Sequence, residues 1–140
     1  KYKLSWLSRL RQHLDATCSP ADDVIVAGDF NIAPDDRDVW DIKQFANATH
    51  VSQPERDALK NVCDFGMEDT FRKFHSEEGL HSWWDYRGGA FHRGHGMRID
   101  HLLASPSAGS LISYSVDRDE RKGALPSDHA PITLTVQPSR

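Results

Sequence analysis

The sequence predicts an α/β domain in which helices pack on one mixed sheet. Two patterns carry that expectation: helical periodicity in the first sixty-five residues, and short apolar runs bounded by turn formers through the remainder. Leu4, Leu7, Leu10 and Leu14, with Trp6 beside them, recur at the spacing of one helical face, so residues 3–15 read as an amphipathic helix that Cys18-Ser19-Pro20 ends. Residues 23–28, Asp-Val-Ile-Val-Ala-Gly, suit a buried strand. Pro34 and a run of acidic and amide residues make 31–38 a loop.

Ser52-Gln53-Pro54-Glu55 has the form of a capping box with proline in the first turn. A helix over 54–65 follows, with Leu59, Val62 and Cys63 inward and Gly66 as its stop. Residues 80–87 are aromatic and strand-like, and Gly88-Gly89 opens a loop of glycine, histidine and arginine that runs to Gly96. Residues 97–104, 110–118 and 131–136 complete the strands. The order of helix, strand, helix and then several strands is that of a layered α/β domain.

A chain of 140 residues fits one domain. Apolar residues make up 38% and charged residues 27%, ordinary for a globular protein. The longest apolar run, Val24 to Ala27, is far short of a membrane span, and no secretory signal is present. Cys18 and Cys63 match neither a disulfide framework nor a zinc spacing, so a reducing, cytoplasmic setting is expected. A net charge of −4 argues against nucleic-acid binding by bulk electrostatics, though not against local binding. Opening on Lys1, the chain reads as a piece of something longer.

The chemistry concentrates in two motifs about a hundred residues apart, Gly28-Asp29-Phe30-Asn31 and Ser127-Asp128-His129. Asp29 and Asn31 stand two apart at a strand end, where i and i+2 side chains share a face. Their oxygens suit a hard divalent cation, and the pair suits an Asx turn as well. Asp128 and His129 lie between Pro126 and Pro131 in a stiffened loop. Asp128 can ligate a metal, and His129 can act as a general base or, protonated, face phosphoryl charge; a plain polar turn fits too. Asp100 interrupts an apolar strand, and a buried carboxylate is costly without a partner, for which an imidazole is the obvious choice. His101 points to the opposite face. Trp83, Trp84, Tyr86 and Phe91 among Arg87, Arg93 and Arg98 suit a surface that stacks on bases and grips phosphates, with one tryptophan turned into the core. The six histidines at 13, 50, 75, 81, 92 and 95 show no ligand spacing and read as solvated or loop residues.

Five segments taken in order, Gly28 to Pro34, Gly66 to Arg72, Ser82 to Arg87, Arg98 to Ser105 and Pro126 to Pro131, resemble the exonuclease III family of AP endonucleases, within the endonuclease/exonuclease/phosphatase superfamily. The first and last motifs belong to the whole superfamily. Trp-Trp-Asp-Tyr-Arg and Arg-Ile-Asp belong to its DNA-repair branch.

The resemblance implies a Mg²⁺- or Mn²⁺-dependent enzyme that cuts double-stranded DNA beside abasic sites and trims 3′ ends. It gives Asp29 the proton donor and acceptor role near the leaving oxygen, and Asn31 the orientation of the phosphoryl group. Asp100 pairs with a catalytic His129. The metal would be held among Asp29, Asn31, Asp128 and His129. Trp83 falls in the abasic-sugar pocket, and Tyr86, Arg87, Arg93 and Arg98 would meet DNA.

The resemblance further implies α/β (α+β) architecture, with one mixed, mainly antiparallel sheet carrying helices on one face. That is half of a four-layer αββα sandwich. The chain matches only the C-terminal half, and the metal-binding glutamate, an early asparagine and the active-site tyrosine belong to the absent N-terminal half. The fragment is then expected to be inactive alone. A sheet face carrying residues such as Ile25, Ile99, Leu102 and Ile132 would lie open, and self-association through it is expected.

Overall fold

The computed structural model describes residues 1–139. Helix α1 (Tyr2–Thr17) and strand β1 (Ile25–Asp29) open the chain. Helix α2 (Gln53–Cys63), strand β2 (Glu68–Asp69) and the short helix α3 (Phe71–Phe74) follow. Then come β3 (Trp83–Trp84), the single turn α4 (Ala90–Arg93), β4 (Gly96–Met97) and β5 (Asp100–Ala104). Strands β6 (Ser110–Val116) and β7 (Ile132–Gln137) close it. The α/β class is as the sequence predicts.

All strand pairs are antiparallel, but the strands form three ladders, β1-β5-β2, β3-β4 and β6-β7, rather than one continuous sheet. The break between β4 and β5 has a visible cause. The stretch expected as one strand over 97–104 bends at Arg98 and Ile99, whose N–H groups leave the ladder for the Asp38 carbonyl and the Ser82 hydroxyl. The expected 80–87 strand shrinks to Trp83–Trp84, because Tyr86 turns helical and Gly88 and Gly89 adopt left-handed backbone.

Leu7 and Leu14 of α1 pack with Leu59 and Val62 of α2, and with Phe30, Ile32 and Leu103, to form the main core beneath β1 and β5. Val26 and Leu103 are direct cross-strand partners on that inward face. Gly66 does end α2's connection as expected. Its φ is +131°, and a Cβ there would come within 2.8 Å of the Pro20 side chain. Ser52 departs from the capping box. Its hydroxyl donates to the Glu55 carboxylate at 2.6 Å instead of capping the helix, because that carboxylate gathers the Lys3 ammonium and the His50 N–H. Burial works to raise the Glu55 carboxyl, yet the Lys3 and Ser52 hydrogen bonds bring it down to about 2.

The opposite face of the first sheet lies open. Ile25, Ala27 and Asp29 are exposed along β1, beside the half-buried Leu102 and Asp100 of β5. Ile99 is not on this face: it is buried with Val39, Val51 and Met97 in a second core. Ile132 is half-buried opposite Val116.

Candidate active site

Strand register brings the first carboxylates together. Asp29 and Asp100 are direct partners at the end of the β1–β5 ladder, so two anions face each other across strands. Opposed like charges destabilise a sheet, and a cationic group between them removes that cost. Asp29 is turned by its own loop. Its Oδ1 accepts the Asn31 backbone N–H at 2.8 Å, and its Oδ2 accepts the Asn31 amide at 3.3 Å. Asn31 holds φ +52°, left-handed backbone that asparagine tolerates better than most residues. The Asx turn and the candidate site are thus one structure.

The segment 128–130 adds to the edge of β3. Trp83 bridges His129, Trp84 N–H donates to the Asp128 carbonyl, and Ala130 N–H donates to the Ser82 carbonyl. That pairing carries the His129 ring to the two carboxylates. Its Nδ1 lies 2.9 Å from Asp100 Oδ2. A carboxylate only accepts, so Nδ1 carries the proton and Nε2 is left basic. Nε2 lies 3.8 Å from Asp29 Oδ2 and 3.9 Å from Asp128 Oδ1. Donor atoms of Asp29, Asp100 and His129 all fall within 4.8 Å of one another, a grouping that could hold a metal ion. Asp128 in turn is fixed by Trp83, whose indole N–H donates to its Oδ2 at 2.9 Å.

Ser82 completes the assembly and was not singled out by the sequence. Wholly buried, its hydroxyl accepts the N–H groups of Ile99 and Asp100, so its one proton goes to Asp100 Oδ2 at 2.6 Å. Only its place beside the aromatic pair could have marked it. His50 is a turn residue, as expected, and its Nδ1–H donates to the Asn31 carbonyl at 2.8 Å, where Lys3 donates as well.

Trp84 is the core tryptophan, at 2% exposure, and Trp83 is half-buried beside the site. Tyr86, Arg87 and Arg93 are exposed. Tyr86 Oη donates to the Pro126 carbonyl, and Arg87 is clasped by Asp85. Arg98 needs correction as a DNA contact: it is 1% exposed. Its guanidinium is held between Asp38 and Asp69, and stacks over the Phe71 ring at 4.3 Å. A phosphate cannot reach it. Burial works to lower the Arg98 pKa, but the two carboxylates raise it instead. Arg98 Nη1 donates to His101 Nδ1, so His101 Nε2–H donates to the Ile32 carbonyl at 2.7 Å. His101 thus lies on the face opposite Asp100, as the alternation implies. His81 lies in a loop as expected but is buried rather than solvated, and burial brings its pKa down to about 4.

Two hollows flank the site. One of about 300 Å³ is lined by Tyr2, Lys3, Trp6, Asp29, Phe30 and Asn31. Another of about 500 Å³ lies along Gly123, Ala124, Pro126, Ser127 and His129.

Two acidic strand ends and an imidazole oriented by one of them thus meet on an α/β scaffold. Residues 2–129 match the model of the Endonuclease/Exonuclease/phosphatase family, and the chain belongs to that family. It is 33% identical over 138 residues to an exodeoxyribonuclease III of Haemophilus influenzae, covering 93% of this chain and 52% of the relative. It is 32% identical over 136 residues to an exodeoxyribonuclease of Bacillus subtilis, covering 96% of this chain and 52% of the relative. Among solved structures, a 3′ phosphatase from Neisseria bound to a product DNA hairpin is 37% identical with a TM-score of 0.90, over 98% of this chain and 54% of the other. An AP endonuclease from Archaeoglobus fulgidus is 34% identical with the same TM-score, over 96% and 53%. The chain spans about half the length of the relatives it matches. Among the described residues, no helix is long and apolar enough to cross a membrane.

Proposed function

We propose that this chain is the histidine-bearing half of a DNA-repair nuclease of the exodeoxyribonuclease III and AP endonuclease kind, which hydrolyses phosphodiesters at abasic sites and 3′ ends of duplex DNA. The observation that carries the reading is the His129 imidazole. Asp100 holds its Nδ1–H, and its Nε2 opens onto the gap bounded by Asp29 and Asp128.

The chemistry follows from that placement. A water attacks phosphorus in line, and its proton passes to His129 Nε2. The imidazolium so formed is stabilised by Asp100 and lies beside the phosphoryl oxygens. Asp29 exchanges a proton with the leaving oxygen, and Asn31 orients the phosphoryl group. The donor set fits a hard divalent cation, since Asp29, Asn31 and Asp128 offer oxygens. Mg²⁺ or Mn²⁺ held there would offset the charge developing on the phosphate. Trp83, Tyr86, Arg87 and Arg93 form the surface that meets DNA, in a cytoplasmic setting.

The open face of β1 and β5 supports a second body seated on it, and isolated copies of the chain self-associate through that face. Light scattering of the dilute chain tests this, and a stable monomer would count against it.

The activity test uses a duplex with a single abasic analogue and Mg²⁺. The chain is assayed alone and with the first half of a relative supplied in trans. Cleavage only in the mixture is expected, abolished by Asp29→Asn. Cleavage by the chain alone would refute its incompleteness. The absence of cleavage in both arms would favour a non-catalytic DNA-binding role.

A further inference from the structure

Asn31 and His50 share an uncommon feature: both hold left-handed backbone without being glycine, at φ +52° and φ +77°. Such residues persist only where their surroundings hold them, and they gather at the working parts of proteins. Here each is held by the other's segment. The His50 Nδ1–H donates to the Asn31 carbonyl at 2.8 Å, and the Ala33 N–H donates to the His50 carbonyl at 2.8 Å. His50 therefore brackets residues 31–33 from both ends. The Lys3 ammonium also donates to the Asn31 carbonyl, at 2.7 Å. The buried Glu55 carboxylate joins the two donors, accepting from Lys3 at 2.5 Å and from the His50 N–H at 3.3 Å.

The next two carbonyls are held as well, Ile32 by His101 Nε2–H at 2.7 Å and Ala33 by Arg56 Nε–H at 3.0 Å. His101 and Arg56 stand on β5 and α2, whose packing explains their positions, whereas His50 stands in a turn. Anchoring that turn does not require the imidazole, because its neighbour Val51 is already buried in the second core.

We infer that His50 is a positioning residue for Asn31: its grip on the carbonyl holds the left-handed turn that aims the Asn31 amide into the site. The inference rests on the role given to Asn31 in the hydrolysis proposed above. The amide's own tie is long, 3.3 Å to Asp29 Oδ2, so the backbone sets its direction. Lys3 is the weaker hold, since its stem is flexible and its charge is shared with Glu55. His50 acts through Asn31 and touches no reacting atom.

Two substitutions test this. His50→Gly keeps left-handed backbone accessible and removes the donor. His50→Asn tolerates the same backbone and carries an N–H as many bonds from Cα as Nδ1, so it restores the donor. Thermal melts check that both fold. If the glycine variant does not, His50→Asp replaces it, with the shape of asparagine but no N–H, and the same outcomes apply. The first readout needs neither DNA nor metal: the side-chain ¹H–¹⁵N signals of the Asn31 amide. They are expected to move in His50→Gly and to return in His50→Asn. The second is cleavage of the abasic-analogue duplex by the chain complemented with the first half of a relative. In His50→Gly, kcat is expected to fall about 10- to 100-fold with KM within about twofold, and His50→Asn to recover most of that loss. Unmoved Asn31 signals in the folded donor-less variant overturn the inference whatever the enzyme does. Moved signals with unchanged kcat also overturn it and leave the nuclease reading standing. So does a raised KM at unchanged kcat, which would put His50 on the substrate. If the wild-type mixture does not cleave, the nuclease reading fails, and the positioning role with it.

Discussion

The Nδ1 atom of His129 lies 2.9 Å from Oδ2 of Asp100, the same oxygen that accepts the Ser82 hydroxyl at 2.6 Å. Asp100 therefore fixes the ring tautomer. Asp100→Asn puts an amide where the carboxylate was, and the amide can offer N–H to Nδ1, which moves the imidazole proton to Nε2. Long-range ¹H–¹⁵N spectra of His129 are expected to show that exchange. In the complemented enzyme, cleavage should fall by about 10²- to 10⁴-fold, as for other triads with the wrong tautomer.

Ser82→Ala should act on both stability and the site. It leaves the N–H groups of Ile99 and Asp100 without the buried oxygen that accepts them. Each orphaned buried donor costs about 1–3 kcal/mol, so a loss of about 2–6 kcal/mol is expected in urea denaturation. The His129 ¹⁵N shifts should broaden, because Asp100 loses its anchor.

Arg98 separates a structural from a functional role. Arg98→Met strips Asp69 of its guanidinium partner and leaves the buried Asp38 with Arg72 alone, a broken buried pair that costs about 3–5 kcal/mol. Calorimetric unfolding measures this loss. Arg93→Ala, on the surface, should leave the melting temperature unchanged and weaken DNA binding only.

His81 predicts a pH dependence. Its pKa falls from 6.5 to about 4 on burial, so the neutral form is the one the fold holds. Above pH 6.5 both states are neutral and stability is complete. As pH falls from 6.5 towards 4, the unfolded chain takes up a proton that the folded chain refuses, and stability drops by up to about 3 kcal/mol. Urea midpoints measured between pH 7 and 5 should slope downward in the wild type. His81→Phe should flatten that slope.

Much of the site was legible because its residues belong to short local patterns. Asp29 and Asn31 share a face at a strand end, and a lone carboxylate in an apolar strand required a partner, which identified Asp100. Alternation correctly sent His101 away and turned one tryptophan inward. The failures were long-range. Arg98 resembled a surface arginine in a basic run, and only the chain's return at Asp38 and Asp69, sixty and twenty-nine residues distant, buries it. His81 acquires its surroundings from loops whose paths no periodicity encodes. The β3-β4 ladder parts from the β1-β5-β2 ladder for the same reason, since the bend at Arg98 follows a carbonyl sixty residues earlier.

The exposed row of Ile25, Ala27 and Asp29 sets its oily and its charged members on one line along β1. Whatever covers the first two is carried to a fixed depth against the third. Same-face residues repeat about every 6.8 Å along a strand, so a covering layer that slipped by one step would miss the carboxylates by more than twice a hydrogen-bond length. The strand serves as a ruler with coarse graduations. A centre completed across it is either in register or wholly out, and activity should appear with correct seating in a single step, without half-active docked forms.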